Sequence, residues 1–241
     1  MGFTQANFLF GWVNSTERWR AILCELEDFL LTFLLKENNY FVTSAKERMN
    51  TRQIISYFDG YLPLDAPEQE ALLSCVVERK VKRRQFILQE NDVCRHFTFV
   101  AEGCFKMYGV DKKGTEHNLQ FAAENDWIAD IGSLHKEKPS KLYIEALEPS
   151  VIFQISKTDL WHLYNNYPKF DRNFRVIIEN KFIELQNRML QNISSTADER
   201  YETFLEQYAH LSNRLPNTQI ASYIGITPEF LSKVRAGRAQ K

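Results

Sequence analysis

The stretch from Asn217 to Arg235, NTQIASYIGITPEFLSKVR, carries the clearest structural pattern in this sequence. Its apolar residues form two groups at helical spacing, and Gly225 lies between them, where a tight turn needs a positive φ. Thr227 and Pro228 are typical of the N-cap and the first position of a helix. The stretch therefore predicts two short helices joined by a turn and packed at a steep angle.

Such a pair is typical of the helix-turn-helix, whose second helix enters the major groove of DNA. The predicted second helix ends at about Ala236 and presents polar side chains away from its apolar stripe: Glu229, Ser232, Lys233 and Arg235. From Ser212 to Lys241 there are five Lys or Arg residues and one acidic residue, although the whole chain has a net charge of −1. A basic end favours attraction to phosphates. The alternative is an ordinary helical hairpin with a solvated basic tail.

The composition narrows the classes of protein to consider. With 241 residues, 44% of them hydrophobic, the chain can bury the cores of one large domain or two small ones. No apolar run is long enough to cross a membrane, and the start lacks the basic-then-apolar order of a secretory signal. The cysteines and histidines show no metal-ligand spacing, so no metal is expected. The four cysteines are scattered along the sequence: Cys24, Cys75, Cys94 and Cys104. Unpaired, scattered thiols are typical of a reducing compartment, so a cytoplasmic location is expected.

Residues 1–48 contain an amphipathic pattern from about Ser15 to Lys36 but no recognisable chemical motif. Two interpretations stay open. These residues form a helical appendage, or Met49 is the true start and the upstream segment does not belong to the native protein. We favour the second, because a domain-like pattern begins at Met49.

The sequence pattern of residues 49–170 predicts a domain rich in short strands. Helical periodicity runs from Asn50 to about Val77 with a break at Pro63, and the basic run from Arg79 to Arg84 follows. That run predicts either a nucleic-acid patch or the approach to the first strand, and the second is favoured because apolar segments follow directly. Short strands separated by turn signals are typical of an antiparallel barrel or roll: Phe86–Leu88, Phe97–Val100, Cys104–Val110, His117–Phe121, Leu142–Ile144 and Val151–Ile155. A helix is predicted from about Ser156 to just before Pro168.

The longest helical pattern spans residues 171–193. Bulky apolar residues recur along one stripe at intervals of three and four: Phe174, Ile178, Phe182, Leu185 and Met189. Such a stripe needs a partner, and a second copy of the chain is the favoured one. Packing against the chain's own roll is the alternative, and the two uses can coexist. Thr196 and Glu199 then have the spacing of a capping box that starts the next helix.

With a roll, a long helix and a helix-turn-helix in this order, residues 49 to about 235 resemble the Crp/Fnr family of transcription regulators. Gly103 in FTFVAEGCFKMY and Gly114 in DKKGTEHNLQF are similar to the family's turn glycines, and Asn91 replaces an earlier one. The resemblance implies an α+β fold with three parts: an antiparallel cyclic-nucleotide-binding-like roll with flanking helices (49–170), a dimerisation helix (171–194) and an all-α DNA-binding domain (195–241). It also implies a regulator without catalytic activity, whose partners are double-stranded DNA, a second copy and RNA polymerase.

The resemblance also implies DNA contacts. The positions that read bases in the family match Pro228, Glu229 and Lys233 here. Proline has no N–H to donate, whereas Glu229 can accept from a cytosine amino group and Lys233 can donate to a guanine. The expected phosphate contacts are Thr218, Thr227, Ser232 and Arg235.

The sequence departs from the family at the effector pocket. Ala129-Asp130, followed by Ile131, stand where cyclic-nucleotide-binding members carry Gly-Glu, and Ser140-Lys141 stand where they carry Arg followed by Ser or Thr. A lysine lacks the planar two-point grip of an arginine on a phosphate. Cyclic AMP and cyclic GMP are therefore not expected as effectors. We expect instead that the pocket binds another small ligand or is vestigial.

Two other functions compete with this interpretation. The first is a ligand-sensing module that acts through a protein partner and does not bind DNA. Its support is the short segment of only six residues after Arg235. An enzyme is disfavoured, because the sequence shows no nucleophile–base pair, phosphate loop or metal spacing.

Overall fold

The computed structural model describes residues 51–239, and residues 52–239 belong to one compact unit. The helix predicted from about Ser15 to Lys36 and both interpretations of residues 1–48 lie outside the described residues.

Two antiparallel sheets form the body of this unit. Each sheet has four strands. Their order is β1-β8-β3-β6 in the first sheet and β2-β7-β4-β5 in the second. All strand pairs are antiparallel, which confirms the predicted roll. The strands are β1 (Val76–Val81), β2 (Phe86–Leu88), β3 (His96–Glu102), β4 (Phe105–Val110), β5 (Glu116–Ala122), β6 (Asp126–Ile128), β7 (Leu142–Ala146) and β8 (Ser150–Ser156).

Helices flank the roll and form the C-terminal part. They are α1 (51–57), α2 (Ala66–Cys75), α3 (Ile131–Lys136), α4 (Lys157–Asn166), α5 (Pro168–Ser194), α6 (Ala197–Gln207), α7 (Asn217–Ile224) and α8 (Pro228–Ala239). Short 3-10 helices lie at Phe58–Gly60 and Ala209–Leu211. No described helix combines the length and apolarity needed to cross a membrane.

The predicted turn and cap residues adopt the backbone conformations that their chemistry favours. Gly103 has a φ of 97°, and a Cβ there would lie 2.1 Å from Oγ of Ser150, so only glycine fits between the two strands. Asn91, in the place of a glycine, has a φ of 72°. Thr196 and Glu199 form the predicted capping box at the start of α6.

Three sequence predictions of secondary structure are wrong. The helix predicted to continue to Val77 ends at Cys75, and β1 begins at Val76 because this segment pairs with β8. The predicted strands do not include β6 (Asp126–Ile128), which pairs with β3. The long helix begins at Pro168 rather than at Asp171, since a proline is well tolerated in a first helical turn.

The buried side chains form two clusters. The first fills the roll and includes Phe97 stacked on Trp127 with ring centroids 4.8 Å apart. The second joins Cys104, Phe121 and Ala123 of the roll to the apolar residues of α6, α7 and α8. The C-terminal helices are therefore packed directly on the roll, with Phe121 as the central roll residue.

Candidate nucleic-acid interface and effector cavity

The turn between α7 and α8 is built as the sequence predicts. Gly225 has a φ of 73°, and the N–H of Ile226 donates to the carbonyl of Ala221 at 3.0 Å. Oγ1 of Thr227 accepts from the N–H of Phe230 at 3.2 Å and so caps α8. The turn thus fixes the angle between the two helices through backbone bonds.

One face of α8 is buried and the other is exposed. Leu231 and Val234 pack with Ile220 and Ala221 of α7 in the second cluster. The exposed face carries Glu229, Phe230, Ser232 and Lys233, and the ring of Phe230 is 46% exposed. The carboxylate of Glu229 accepts from its own backbone N–H and from the Thr227 hydroxyl, which lowers its pKa and keeps it ionised.

The remaining predicted DNA contacts differ in their exposure and in their hydrogen bonds within the chain. Thr218 is exposed in the first turn of α7, and Pro228 is partly exposed. The hydroxyl of Ser232 donates to the carbonyl of Pro228 at 3.0 Å. Arg235 is half-buried and donates to the Tyr201 hydroxyl at 2.8 Å and to Oδ1 of Asn217, so it braces α8 against α6 and α7.

Arg188 of α5 ties the helix-turn-helix to the roll. Its guanidinium donates to the carbonyls of Asn118 and Tyr223, both at 2.7 Å, and to the carbonyl of Leu119. It also lies 3.8 Å from the ring centroid of Tyr223. One side chain on α5 thus connects β5 with α7.

Further contacts complete this interface. Nδ2 of Asn118 on β5 donates to the carbonyl of Gln219 at 2.9 Å, and the Ser222 hydroxyl donates to the carbonyl of Glu116 at 2.8 Å. Cys104 is fully buried there, and burial raises the pKa of its thiol to about 12. The interface therefore holds α7 along the edge strand β5.

Arg214, just before α7, forms a second connection to the roll. It donates to Glu124 and to Glu148, with shortest distances of 2.8 Å and 2.9 Å. Burial raises the pKa of Glu124, but the bonds from Arg214 and from the Gly103 amide outweigh it, so the pKa lies below its ordinary value.

The apolar stripe of α5 divides between two environments. Ile178, Phe182, Leu185 and Met189 are exposed by 37%, 57%, 55% and 65% of their surface. Phe174 is 1% exposed, because it packs among the aromatic rings of the roll core. The prediction that Phe174 lies on a surface for a second copy is therefore wrong.

A cavity of about 410 Å³ lies between the second sheet, α3 and α5. Ala129, Asp130 and Ile131 line it, as predicted, whereas Ser140 and Lys141 do not. Oδ1 of Asp130 accepts from the Ser133 N–H at 3.0 Å and Oδ2 accepts from the Ser140 hydroxyl at 2.7 Å. Half of the other lining residues have large apolar side chains: Met107, Leu119, Leu142, Ile178, Phe182 and Leu185.

The two cations of the cavity lining already have partners. Arg188 binds the three carbonyls described above, and Lys181 contacts Asp126 at 2.9 Å and Glu184 at 3.3 Å. Burial lowers the pKa of Lys181, but the two carboxylates outweigh it and raise the pKa. The polar groups of both side chains therefore bind elements that neighbour α5.

Comparison with known proteins shows which proteins the chain resembles. Residues 78–167 match the family model "Cyclic nucleotide-binding domain". The chain is 25% identical over 176 residues to "Probable transcriptional regulator flp" of Lacticaseibacillus casei, covering 69% of this chain and 78% of the relative. It is 24% identical over 188 residues to "Transcriptional activator protein Anr" of Pseudomonas protegens, covering 72% and 75%. A solved structure described as a regulator of the crp/fnr family from Eubacterium rectale has a TM-score of 0.60 at 16% identity, covering 77% and 88%.

The chain is similar to transcription regulators of the Crp/Fnr type. The match to the domain model runs from within β1 to the end of α4, and it stops before α5. Both curated relatives are named as transcription regulators rather than as enzymes. Among residues 51–239, no group of His, Cys, Asp or Glu is arranged to hold a metal ion.

Two residues of the interface described above, Phe230 and Arg188, are not among the predicted site residues. Phe230 had a usable signal, because its position lies off the apolar stripe of α8 formed by Leu231 and Val234. Arg188 had none, since its partners are backbone carbonyls far away in the sequence.

Proposed function

We propose that this protein is a homodimeric transcription regulator that binds specific DNA sequences through α8. The exposed face of α8 carries the proposal. It presents an ionised acceptor, an aromatic ring and a cation on a helix whose opposite face is fully packed. A rigid helix of this kind suits insertion into the major groove.

Within this function, three side chains of α8 contact base edges. Glu229 accepts from a cytosine amino group and Lys233 donates to a guanine. The ring of Phe230 packs on a thymine methyl group, the apolar feature of the major groove. Thr218, Thr227 and Ser232 contact phosphates. Arg235 holds α8 in place through Tyr201 and Asn217, and a phosphate accepts from its remaining N–H groups.

Two copies bind together through the exposed stripe of α5. Ile178, Phe182, Leu185 and Met189 form its centre, and the exposed Leu190 and Ile193 extend it. A continuous apolar stripe on a long helix is typical of helix pairing. The pair presents two α8 helices to half-sites about one turn of DNA apart.

The effector of this regulator is not a cyclic nucleotide. A cyclic phosphate needs a free cation, but Lys181 and Arg188 already have partners and Lys141 does not line the cavity. Each carboxylate oxygen of Asp130 already accepts one hydrogen bond from within the chain, so fewer lone pairs remain for a ribose hydroxyl. The apolar lining favours a small, largely uncharged molecule.

Selection of genomic DNA fragments by the purified protein tests this function. We expect enrichment of a palindromic site, and the same site whether or not cyclic AMP is added. Lys233→Ala should then weaken binding to that site far more than binding to random DNA. Lys136→Ala, which removes an exposed lysine of α3, is the matched control and should change neither. No enrichment, or an equal loss on both DNAs, would contradict DNA reading by α8.

Phe230 has a test of its own. Replacing individual thymines of the selected site by deoxyuridine removes only the methyl group. At one position per half-site, this should weaken the wild type by about 0.8 kcal/mol, the value of one buried carbon group, and leave Phe230→Ala unaffected. Equal sensitivity of the two proteins at every position would reject the methyl contact.

A further inference from the structure

The groove between α5 and α6 has no role in the functions proposed above. Its lining extends from Asn180 to Asn192 on α5 and from Arg200 to Gln207 on α6, and we call it the α5–α6 groove. The helices lie side by side, since the Tyr208 hydroxyl, just after α6, donates to Oε1 of Glu184 at 2.6 Å. The groove has a volume of about 580 Å³, and five of its lining side chains are carboxamides. Carboxamides both donate and accept hydrogen bonds, so a surface rich in them can pair with a copy of itself.

Two exposed apolar side chains of α5 line this groove. Ile183 and Leu190 are 51% and 62% exposed. Each directly follows a residue of the proposed dimer stripe, Phe182 or Met189, and therefore projects about 100° away from it around the helix. Pairing through the stripe covers one side of α5, so it leaves Ile183 and the groove-facing side of Leu190 open to solvent.

The groove also carries a cation and a carboxylate of α6 that have no ionic partner. Nη1 of Arg200 donates to the carbonyl of Ser195 at 3.3 Å, and Arg200 forms no ion pair within residues 51–239. In the same part of the chain, the carboxylate of Glu206 has neither an ion pair nor a hydrogen bond. Both charges are therefore free to pair across an interface.

The two charges are placed symmetrically along α6. Arg200 precedes Thr203 by three residues and Glu206 follows it by three, which puts them about 4.5 Å to either side along the helix axis. A two-fold axis through Thr203 sets Arg200 of each copy against Glu206 of the other. Because both of these contacts are attractive, the surface is complementary to itself in charge.

The apolar residues of α5 follow the same symmetry. Asn187 and Thr203 both line the groove, so one axis can pass close to both. Ile183 lies four residues before Asn187, and Leu190 lies three residues after it. The axis therefore brings Ile183 of each copy near Leu190 of the other, and the two Asn187 carboxamides can hydrogen-bond to each other.

We propose that the α5–α6 groove binds the same groove of a second copy about this two-fold axis and thereby joins one dimer to another. A second copy is the occupant because it supplies what the surface lacks, a carboxylate for Arg200, a cation for Glu206 and an apolar contact for Ile183. Dimers bound at separate DNA sites are then held together.

This contact should be weaker than the one through the stripe. The groove offers two large exposed apolar side chains per copy, whereas the centre of the stripe offers four, so the groove contact forms at higher protein concentration. Only the size of the assembly rests on the proposed function, because the centre of the stripe lies outside the groove lining.

Charge reversal tests the pairing in sedimentation equilibrium of the full chain. Arg200→Glu and Glu206→Arg each set like charges opposite one another when a variant pairs with itself. Each variant alone should therefore remain a dimer at about ten times the concentration at which half of the wild type is tetrameric. In an equimolar mixture, opposite charges meet again at both contacts between unlike copies, so the mixture should recover tetramers.

Two further variants sharpen the measurement. Asp198→Arg reverses an exposed carboxylate of α6 that does not line the groove, and it should leave the tetramer intact. Ile183→Asp puts a carboxylate into the apolar contact, so it should abolish the tetramer and keep the dimer.

The outcomes separate this contact from the proposed function. A wild type that never exceeds a dimer, or a mixture that does not recover tetramers, rejects the groove contact alone and leaves DNA reading by α8 unaffected. A wild-type dimer that Arg200→Glu abolishes and Leu185→Asp does not would keep the groove contact and reject pairing through the stripe.

Discussion

The two halves of α5 have the same apolar periodicity and opposite surroundings. In the N-terminal half, Phe170, Phe174 and Ile177 are at most 2% exposed and belong to the core of the roll. In the C-terminal half, Phe182, Leu185 and Met189 are exposed by 55% to 65%. One helix therefore completes its own domain and then offers the same kind of stripe to solvent.

The difference shows how much an apolar helical stripe in a sequence indicates about the packing of the helix. Full burial of a large apolar side chain contributes about 1.5–3 kcal/mol, so a long stripe indicates that a partner exists. It does not indicate which partner. The C-terminal half also has an inner side, where Lys181, Glu184 and Arg188 contact the roll and the helix-turn-helix.

The largest expected effect is on the buried half. Phe174→Ala should lower the free energy of unfolding by about 3–5 kcal/mol, because the cavity cannot close among the rings of Phe58, Phe97 and Trp127. Denaturant unfolding measures this change. Met189→Ala is the matched control in the exposed half and should have little effect at protein concentrations where the chain is a monomer. Similar losses for both would remove the distinction between the halves.

The next effect concerns assembly. Leu185→Asp should convert a dimer to a monomer in sedimentation equilibrium, because a carboxylate cannot be buried without a partner. Loss of the second α8 should then lower affinity for a two-half-site duplex by about a hundredfold or more. Asn187→Asp places the same charge elsewhere on the exposed surface of α5 and should keep the dimer. A dimer that survives Leu185→Asp would show that this stripe is not the interface.

The sequence predicts those parts of the molecule whose cause is local. The glycine at 225, the cap at Thr227 and the repeat along α5 each act within a few residues, and each was predictable. The strand β1 was missed because its pairing with β8 overrides a helical pattern. The burial of Phe174 and the bracing role of Arg235 were missed because both depend on residues distant in the chain.

A smaller effect is expected on the inner side of the C-terminal half. Arg188→Gln should loosen the contact between β5 and α7 and cost about 1.5–3 kcal/mol, since charge-assisted bonds to carbonyls are lost. Cys104 reports on this interface, because its thiol is buried and its raised pKa of about 12 keeps it protonated at neutral pH. The variant should react with a thiol reagent at this cysteine faster than the wild type. An unchanged rate would place the connection between roll and helices elsewhere.

The smallest effect tests whether Arg214 shares in that connection. The pKa of Glu124 is lowered in the folded state, so its contribution is present above the unfolded pKa of about 4.3 and is lost as the pH falls through the folded value. The wild type should therefore exceed Arg214→Gln in stability at pH 7. Because the pair is partly exposed and screened, the difference should be no more than about 1 kcal/mol. Denaturant unfolding at pH 7 and at pH 3 should show this difference shrinking in acid. A difference that persists at pH 3 would mean that Arg214 acts through packing rather than through its carboxylates, and would leave Arg188 as the charged link between the roll and α7.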